Sequence, residues 1–350
     1  MSKLILLFIV ALTVVGCGTT KPSAGTPAPP ASGESGKLRV VYIPKSTGNP
    51  YFNQVEAGFE KAAAEFGFEF NTQGPATADP TSQLPIIKEQ AQRGVDVIAI
   101  TPNSPDALNE ALDEAKAKGI IVITVDADLT GNESHRDVAV LPTDFAQIGP
   151  SQIELLGGMI GYEGEFAILS ATTDAPNQNA WIEGMKTALK ESKYSKMKLV
   201  TIVYGDDESQ KSSTEMEGLL TKFPNLKGII SPTSVGLAAA TQVLENSGEY
   251  PGGPQAKSGG IVLTGLSTPD QLRKAIEKGV VQSFQLWSPA DMGYLAGYLG
   301  TQLKNKKLEL KSGQNVDVPG GKSVAIGDKN VIFAGPLMTF DKTNIDQYKF

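Results

Sequence analysis

Residues 38–73, LRVVYIPKSTGNPYFNQVEAGFEKAAAEFGFEFNTQ, carry the pattern that decides the fold. A short apolar run is followed by a polar loop, by an alanine-rich stretch of helical length and by a second apolar run that starts at Phe68. This alternation predicts a β-strand, a crossover helix and a second strand parallel to the first. Gly67 stands where the helix should end, since glycine adopts the left-handed conformation of a helix cap without a steric penalty.

Two series of such units follow one another along the chain. In the first series, the later apolar runs are VDVIAITP (95–102) and IIVITVDAD (120–128), and helices are predicted near residues 51–66, 81–93 and 105–118. In the second series, the runs are EFAILSA (165–171), KLVTIVYG (198–205), LKGIISPT (226–233) and GIVLTGLST (260–268), with helices near residues 177–191, 208–223 and 235–246. Strands that alternate with helices form parallel sheets. We therefore predict an α/β fold with two doubly wound parallel-sheet lobes.

Three stretches are candidates for points where the chain changes lobes. They are HRDVAVLPTDFAQIG (135–149), LTGLSTP (263–269) and QLWSPADMG (285–293). A chain of 350 residues has room for about two packed cores, and three crossings between them predict a hinge. The predicted division is an N-terminal lobe of residues 38–142 and 265–287 and a C-terminal lobe of residues 143–264 and 288–350.

The first residues predict export and membrane attachment. Residues 1–16 combine one lysine with an apolar run of signal-peptide length, shorter than a typical membrane-spanning helix. The run ends in VVGC, which looks like a bacterial lipobox in which Cys17 is acylated; the alternative is an ordinary secretory signal with an incidental thiol. Residues 17–37, rich in Gly, Pro, Ser and Thr, predict a flexible tether. We therefore expect an extracytoplasmic protein that is lipid-anchored to the cell membrane.

The composition does not favour nucleic-acid binding or enzyme chemistry. The formal net charge is −7, so no basic surface is expected to attract a polyanion. With His135 as the one histidine, and with one cysteine, the usual zinc sites and Cys–His pairs are excluded. GGKS (320–323) lacks the earlier glycine of a phosphate-binding loop, since Val316 stands there. We predict no enzyme activity, no cofactor and no metal. In the alternative of a secreted sugar-processing enzyme, Asp126 and Asp174 are the candidate acid/base pair.

The loops that follow the predicted strands hold the candidate binding residues, because ligands of open parallel sheets bind beyond the carboxyl ends of the strands. Candidates in these loops are Lys45, Asn49, Tyr51, Phe52, Asp126, Asp174 and Trp287. Amides and carboxylates pair with hydroxyl groups, and aromatic rings pack against C–H faces, so the set fits a neutral sugar. Tyr51 and Phe52 have the alternative role of fixing the helix to the sheet. Trp181, inside a predicted helix, is interpreted as a core residue.

The sequence resembles the periplasmic binding proteins of sugar ABC importers, of the ribose-binding type, and in particular the branch with rhamnose-binding and autoinducer-2-binding proteins. The resemblance extends from Leu38 to Phe350 and implies a type 1 periplasmic binding protein fold. It is carried by TGNPYFNQVEAGFEKAAAEFG (47–67), GVDVIAITPNSPDAL (94–108), NQNAWIEGM (177–185), SPTSVGLAAA (231–240), GLSTPDQLRKAIEKGVVQSFQLWSP (265–289) and FDKTNIDQYKF (340–350).

The resemblance also implies roles for individual residues. Ligand-binding positions of the autoinducer-2 receptors are matched by Lys45, Asp126, Gln178 and Pro232. The chain departs from their pattern at Asn177, where an acid is expected, at Ser234, where an alanine is expected, and at Ser288, where another acid is common. These departures favour the rhamnose-like members, so Asn177 and Ser234 join the predicted ligand-binding residues.

The function implied by the resemblance is that of a lipid-anchored substrate-binding protein. We expect a monomer that captures a neutral sugar, with a rhamnose-like deoxysugar favoured, and delivers it to an ABC permease. A receptor subunit for autoinducer-2, in uptake or quorum sensing, is the alternative. The fold also serves LacI-type repressors, but we expect a DNA-binding module before the body of those proteins, whereas a lipid signal stands there in this sequence. The sequence does not identify the sugar or the permease.

Overall fold

The computed structural model describes residues 36–257 and 259–350. The strands, in chain order, are β1 (Arg39–Ile43), β2 (Glu69–Thr72), β3 (Val97–Ile100), β4 (Ile121–Val125), β5 (Val138–Leu141), β6 (Glu163–Ser170), β7 (Lys196–Tyr204), β8 (Leu226–Ser231), β9 (Val262–Gly265), β10 (Ser283–Leu286), β11 (Asn315–Val318), β12 (Lys322–Ala325), β13 (Val331–Phe333) and β14 (Met338–Asp341). The α-helices are α1 (Tyr51–Phe66), α2 (Leu84–Arg93), α3 (Asn109–Ala117), α4 (Phe145–Ile160), α5 (Pro176–Ala188), α6 (Ser209–Lys222), α7 (Ser234–Ser247), α8 (Pro269–Lys278) and α9 (Pro289–Lys304). This alternation confirms the predicted α/β class.

The first sheet has the strand order β13-β5-β4-β3-β1-β2, and all its neighbouring strands are parallel. Strands β3 and β5 are buried along their whole length, as expected for a parallel sheet that is covered on both faces. Helix α1 packs closely on α9, where glycines let the backbones approach. A Cβ atom on Gly58 would lie 2.0 Å from the carbonyl oxygen of Ala290, so only glycine fits there.

The second sheet has the strand order β7-β6-β8-β9 and is also parallel. Strand β10 lies beside β9 through a parallel bridge between Leu266 and Gln285, and it pairs with β14 in antiparallel orientation. Helices α4 and α5 pack together on this sheet, as do α6 and α7. Strands β11 and β12 form a separate antiparallel hairpin.

The predicted division of the C-terminal half between the lobes is wrong in two segments. Residues 265–287 were expected in the N-terminal lobe, but β10 joins the second sheet and α8 packs on α7. Residues 288–350 were expected in the C-terminal lobe, but α9 packs on α1 and β13 extends the first sheet beside β5, so only the part from β14 onward lies with the second sheet as expected. The physical reason is that an apolar run fits either sheet, and its strand partner is not encoded locally.

The chain passes between the two sheets in three places, which are the connections β5–α4 (142–144), β10–α9 (287–288) and β13–β14 (334–337). The first two lie inside stretches that the sequence predicts as crossings. The stretch LTGLSTP (263–269) is not a crossing, because β9, α8 and β10 all stay with the second sheet. The third crossing, before β14, was not predicted.

The predicted signal peptide (1–16), Cys17 and nearly all of the tether lie outside the described residues. Among the described residues, no helix is both long and apolar enough to cross a membrane.

Candidate ligand-binding site

A small cavity lies where loops of the first sheet meet loops of the second. Its volume is about 40 Å³. Residues from the first sheet's side are Lys45, Asn49, Tyr51, Phe52 and Asp126. Residues from the second sheet's side and from the β10–α9 crossing are Asn177, Gln178, Trp181, Asp207, Pro232, Thr233, Ser234, Leu266, Leu286 and Trp287. The cavity therefore lies at the carboxyl ends of strands from both sheets, which is the expected position for a ligand.

Asp126, directly after β4, holds an unusual backbone conformation at the cavity. Its φ angle is 67°, in the left-handed region, which aspartate tolerates better than most residues. The backbone N–H of Asp126 donates to the carbonyl of Val140 on β5 at 3.0 Å, which fixes this turn to the neighbouring strand. The carboxylate accepts hydrogen bonds from the hydroxyl of Tyr51 at 2.6 Å and from the amide of Asn177 at 3.1 Å. Asp126 is thus bonded to groups from both sides of the cavity.

The side-chain amide of Asn177 bridges Lys45 and Asp126, the two charged residues that the first lobe contributes to the cavity. Its Oδ1 accepts from Nζ of Lys45 at 2.7 Å, while its Nδ2 donates to Asp126. The same Oδ1 also accepts from the backbone N–H of Gln178, in the first turn of α5. One amide therefore serves a lysine, a carboxylate and a helix N-terminus. A carboxylate at this position could not donate to Asp126, which gives a physical reason for Asn at 177 in place of the acid expected from the autoinducer-2 pattern.

Burial changes the protonation equilibria of the cavity. Loss of hydration raises the pKa of Asp126 to about 6, although the nearby Lys45 and the hydrogen bond from Tyr51 act in the opposite direction. Burial lowers the pKa of Lys45, and the charges of Asp126 and Asp207 oppose this shift. The pKa of Asp207 is also raised by burial, against a hydrogen bond from Thr233. The cavity thus holds two acids and one base in a poorly hydrated environment.

Two further contacts cross the cavity or fix its second side. The hydroxyl of Ser234 donates to Oδ1 of Asn49 at 2.9 Å, and Asn49 also accepts from the backbone N–H of Tyr51 at 3.0 Å. On the second side, Nε2 of Gln178 donates to the carbonyl of Pro232 at 2.6 Å. The side chain of Gln178 therefore holds the loop after β8 at the N-terminus of α5.

Aromatic rings form the remaining wall. Nε1 of Trp287 donates to the hydroxyl of Tyr51 at 2.7 Å, and the two rings meet edge to face at 6.4 Å between centroids. Trp287 also packs against Trp181 at 5.6 Å, and Tyr51 packs against Phe52 at 5.2 Å. Because Trp287 follows β10 at a crossing between the sheets, this wall connects the cavity to the hinge.

A buried amide network positions the loop of Lys45. Nε2 of Gln83 donates to the carbonyls of Pro44 and Thr101, at 2.9 and 2.8 Å. Nδ2 of Asn103 donates to the carbonyl of Lys45 at 2.9 Å. These hydrogen bonds connect the loop after β1, which carries Lys45, to the loop after β3. They also give the buried polar groups the partners that such groups need.

A buried ion pair positions the loop of Asp126. The guanidinium of Arg136 binds both carboxylate oxygens of Asp128, at 2.7 Å each, and donates to the carbonyl of Lys329 at 2.6 Å. Such bidentate pairs are strong and directional. The turn that carries Asp126 is therefore joined to the segment before β13.

The structure brings together all the predicted ligand-binding residues except Asp174. Asp174 is exposed and bonds to Thr173, outside the cavity. Its separation from the cavity removes it from the candidate set and also removes the acid/base pair with Asp126. The reason is local: Asp174 lies in the loop before α5, which turns toward solvent, whereas Asn177 in the first helical turn faces the cavity. The ligand-binding roles of the other residues stay predictions.

Sequence reasoning missed several lining residues. They are Trp181, Asp207, Thr233, Leu266 and Leu286. Asp207 follows β7 and could have been found by the same rule that selected Asp126, since the run KLVTIVYG is followed directly by two aspartates. Trp181 is 2% exposed, as its interpretation as a core residue requires, but it also lines the cavity.

Comparison with known proteins gives consistent matches over most of the chain. A family model described as "Periplasmic binding protein domain" matches residues 40–308. A D-allose-binding periplasmic protein of Escherichia coli is 25% identical over 255 residues, which is 71% of this chain and 79% of that protein.

Two solved structures are more similar in sequence. A solute-binding protein of an ABC transporter from Clostridium phytofermentas, solved with bound L-rhamnose, is 34% identical, has a TM-score of 0.83, and the match covers 90% of this chain and 99% of that one. A sugar ABC transporter protein from Actinomyces odontolyticus is 35% identical, has a TM-score of 0.70, and the match covers 89% of this chain and 98% of that one.

Proposed function

Because the chain belongs to the periplasmic binding protein family, we propose that it captures a neutral, rhamnose-like deoxysugar for an ABC importer. The prediction that the chain is a sugar-transport binding protein rather than an enzyme is confirmed by this family and by its relatives. The identity of the sugar is the proposed part.

The observation that carries the proposal is that the cavity is lined by both polar and apolar side chains. Polar groups that pair with hydroxyls are supplied by Lys45, Asp126, Asn177, Gln178 and Asp207. Apolar surface is supplied by Phe52, Trp181, Leu266, Leu286 and Trp287. A 6-deoxy sugar also combines both kinds of group, since it carries several hydroxyls and one methyl group. A methyl group gains from contact with apolar surface, whereas a hydroxyl there loses its hydrogen bonds to water.

The L-rhamnose-bound protein from Clostridium phytofermentas supports this choice of sugar, because it is 34% identical over nearly the whole described chain. The charges of the cavity also argue for a neutral ligand. Asp126 and Asp207 face one lysine, so a ligand with a carboxylate or phosphate would meet an excess of negative charge.

Ligand capture requires the two lobes to separate and close again. A cavity of about 40 Å³ has room for about one water molecule, whereas ligand pockets usually measure several hundred Å³. The contacts Lys45–Asn177 and Asn49–Ser234 must therefore open when a sugar enters. A sugar that supplies hydroxyls to the same groups stabilises a closed form around itself, and its better contacts with that form drive the closure.

Delivery to a permease is proposed to occur at the membrane surface. Acylated Cys17 and the tether that follows would hold the folded body near the membrane while leaving it free to turn. This arrangement keeps captured sugar close to the transporter.

A thermal-shift screen tests the proposed class of ligand. Protein without residues 1–17 is heated with L-rhamnose, D-ribose, D-allose, D-arabinose or autoinducer-2, since a ligand of the native state raises the melting temperature. We expect L-rhamnose to give the largest shift. A shift with autoinducer-2 alone would favour the receptor alternative, and the absence of a shift with every sugar would contradict the proposed function.

A further inference from the structure

We propose that the indole N–H of Trp181 is a specificity-determining donor that binds one oxygen atom of the captured sugar. This inference rests on the proposed function and adds a residue to it that the sequence pattern interpreted as core. Trp181 lies in the second turn of α5, lines the cavity and is 2% exposed.

The evidence is an unpaired donor on a residue that lines the cavity. Nε1 of Trp181 is buried and has no hydrogen-bond acceptor among the described residues. Other described side chains with an unpaired buried polar atom do not line the cavity, and these are Thr72, Asn103, Asn109, Gln152, Ser212 and Gln282. A buried indole N–H usually has a partner, because leaving it unpaired is costly. A ligand oxygen in the cavity would supply this partner.

The second tryptophan provides an internal comparison. The chain has two tryptophans, and both line the cavity. Nε1 of Trp287 is already used, because it donates to the hydroxyl of Tyr51 at 2.7 Å. Of the two indole donors at the cavity, Trp181 is therefore the one left for a ligand.

The ring of Trp181 is held in position before a sugar arrives. Phe145 packs against it edge to face at 5.5 Å and 79°, and Trp287 packs against it at 5.6 Å and 60°. A fixed ring loses little conformational entropy when its N–H binds, so the hydrogen bond adds to affinity at low cost. An indole N–H only donates, so it selects an acceptor such as a hydroxyl or ring oxygen.

The test compares Trp181→Phe with Trp287→Phe. Trp181→Phe keeps an aromatic ring and removes a donor that has no protein partner, so the melting temperature without sugar should fall only through the smaller volume of the buried ring. Calorimetric titration with L-rhamnose should show affinity reduced about fivefold to tenfold, which is the usual effect of one lost hydrogen bond. Trp287→Phe removes an internal hydrogen bond, so it should lower the melting temperature without sugar.

Nuclear magnetic resonance of the parent protein gives a second measurement that does not depend on the folding of Trp181→Phe. The two indole N–H signals are assigned by the loss of one of them in Trp287→Phe. L-Rhamnose should move the Trp181 signal downfield and slow its exchange with solvent, as a new hydrogen bond does.

The outcomes separate this inference from the proposed function. If the parent binds no sugar, the proposed function is overturned together with this inference. If the parent binds L-rhamnose but Trp181→Phe binds it within twofold, or the Trp181 indole signal does not respond, the proposed function stands and the inference is overturned. A panel of L-rhamnose analogues that each lack one hydroxyl then identifies the oxygen, because the relevant analogue loses affinity for the parent and not for Trp181→Phe.

Discussion

Nζ of Lys45 lies 2.7 Å from Oδ1 of Asn177, and this hydrogen bond joins the loop after β1 in the first lobe to the first turn of α5 in the second. The same amide donates to Asp126, so one side chain of the second lobe satisfies a lysine and a carboxylate of the first. A sugar hydroxyl can donate and accept in the same way. Asn177 therefore occupies hydrogen-bonding positions that a captured sugar can take over when the lobes close.

Replacing Asp126 with Asn should weaken sugar binding without unfolding the protein. The variant keeps the shape of the side chain and removes the charge-assisted acceptor, so we expect about tenfold to hundredfold weaker binding of L-rhamnose by calorimetric titration. Asp174→Asn is the matched control, because its carboxylate is exposed and lies outside the cavity. Equal affinity of both variants would mean that Asp126 does not contact the ligand.

Asp207 should contribute to sugar binding from the second lobe. It lines the cavity, accepts a hydrogen bond from Thr233 and has its pKa raised by burial. Asp207→Asn should reduce the affinity for L-rhamnose about tenfold, through the loss of a charge-assisted hydrogen bond. Asp206→Asn is the control at the preceding position, where the carboxylate pairs with Lys211 and the backbone also has a positive φ. A larger loss in Asp206→Asn than in Asp207→Asn would contradict this assignment.

The raised pKa of Asp126, about 6, predicts a pH-dependent stability. The folded protein holds this proton more tightly than the unfolded chain, so the contribution to stability is fully present below the unfolded pKa of 3.8 and is lost as pH rises through about 6. The difference between the folded and the unfolded pKa corresponds to about 3 kcal/mol in the free energy of unfolding. We expect the free energy of unfolding of the parent, relative to Asp126→Asn, to fall by up to this amount between about pH 4 and pH 7.

Urea unfolding of both proteins without sugar, at several pH values, measures this difference. The subtraction removes the contributions of other groups, such as Glu154, whose pKa is lowered to about 2 by hydrogen bonds from Lys193 and two tyrosines. A difference that does not change with pH would show that Asp126 is hydrated in solution and that the lobes are open there.

Cys17 should determine membrane attachment. The chain contains no other cysteine, so Cys17→Ser removes the one site for a thioether-linked lipid. We expect the variant to move from the membrane fraction to the soluble fraction while its affinity for sugar stays the same. Retention of Cys17→Ser in membranes would contradict the lipid anchor.

The local sequence was sufficient to predict which residues lie just beyond the carboxyl ends of strands in the parallel sheets. Asp126 follows β4 directly and Lys45 follows β1 after one proline, and the carboxyl ends of such strands meet at one edge of a sheet. The role of Trp181 could be predicted only in part. Its position inside a helix indicates that the side chain is buried, but the sequence does not show that its indole N–H has no hydrogen-bond partner. Asp174 lies outside the cavity, because three residues along a loop decide whether a side chain faces the cavity or solvent.

The division into lobes depends on contacts that local sequence does not contain. Strand β10 is short, alternates polar with apolar residues and would fit the edge of either sheet, but the bridge Leu266–Gln285 and the antiparallel partner β14 place it with the second. The partner β14 lies more than 50 residues later in the chain. Such pairing is decided by long-range packing, which periodicity does not report.

Calorimetric titration with L-rhamnose and L-mannose tests the central claim most directly. The two sugars differ only at C6, where L-rhamnose has a methyl group and L-mannose a hydroxymethyl group. If apolar lining residues such as Phe52, Leu266 and Leu286 receive this end of the sugar, L-rhamnose should bind about tenfold to hundredfold more tightly. Binding of L-mannose as tight as that of L-rhamnose, or tighter, would contradict the account of a cavity built for a deoxysugar.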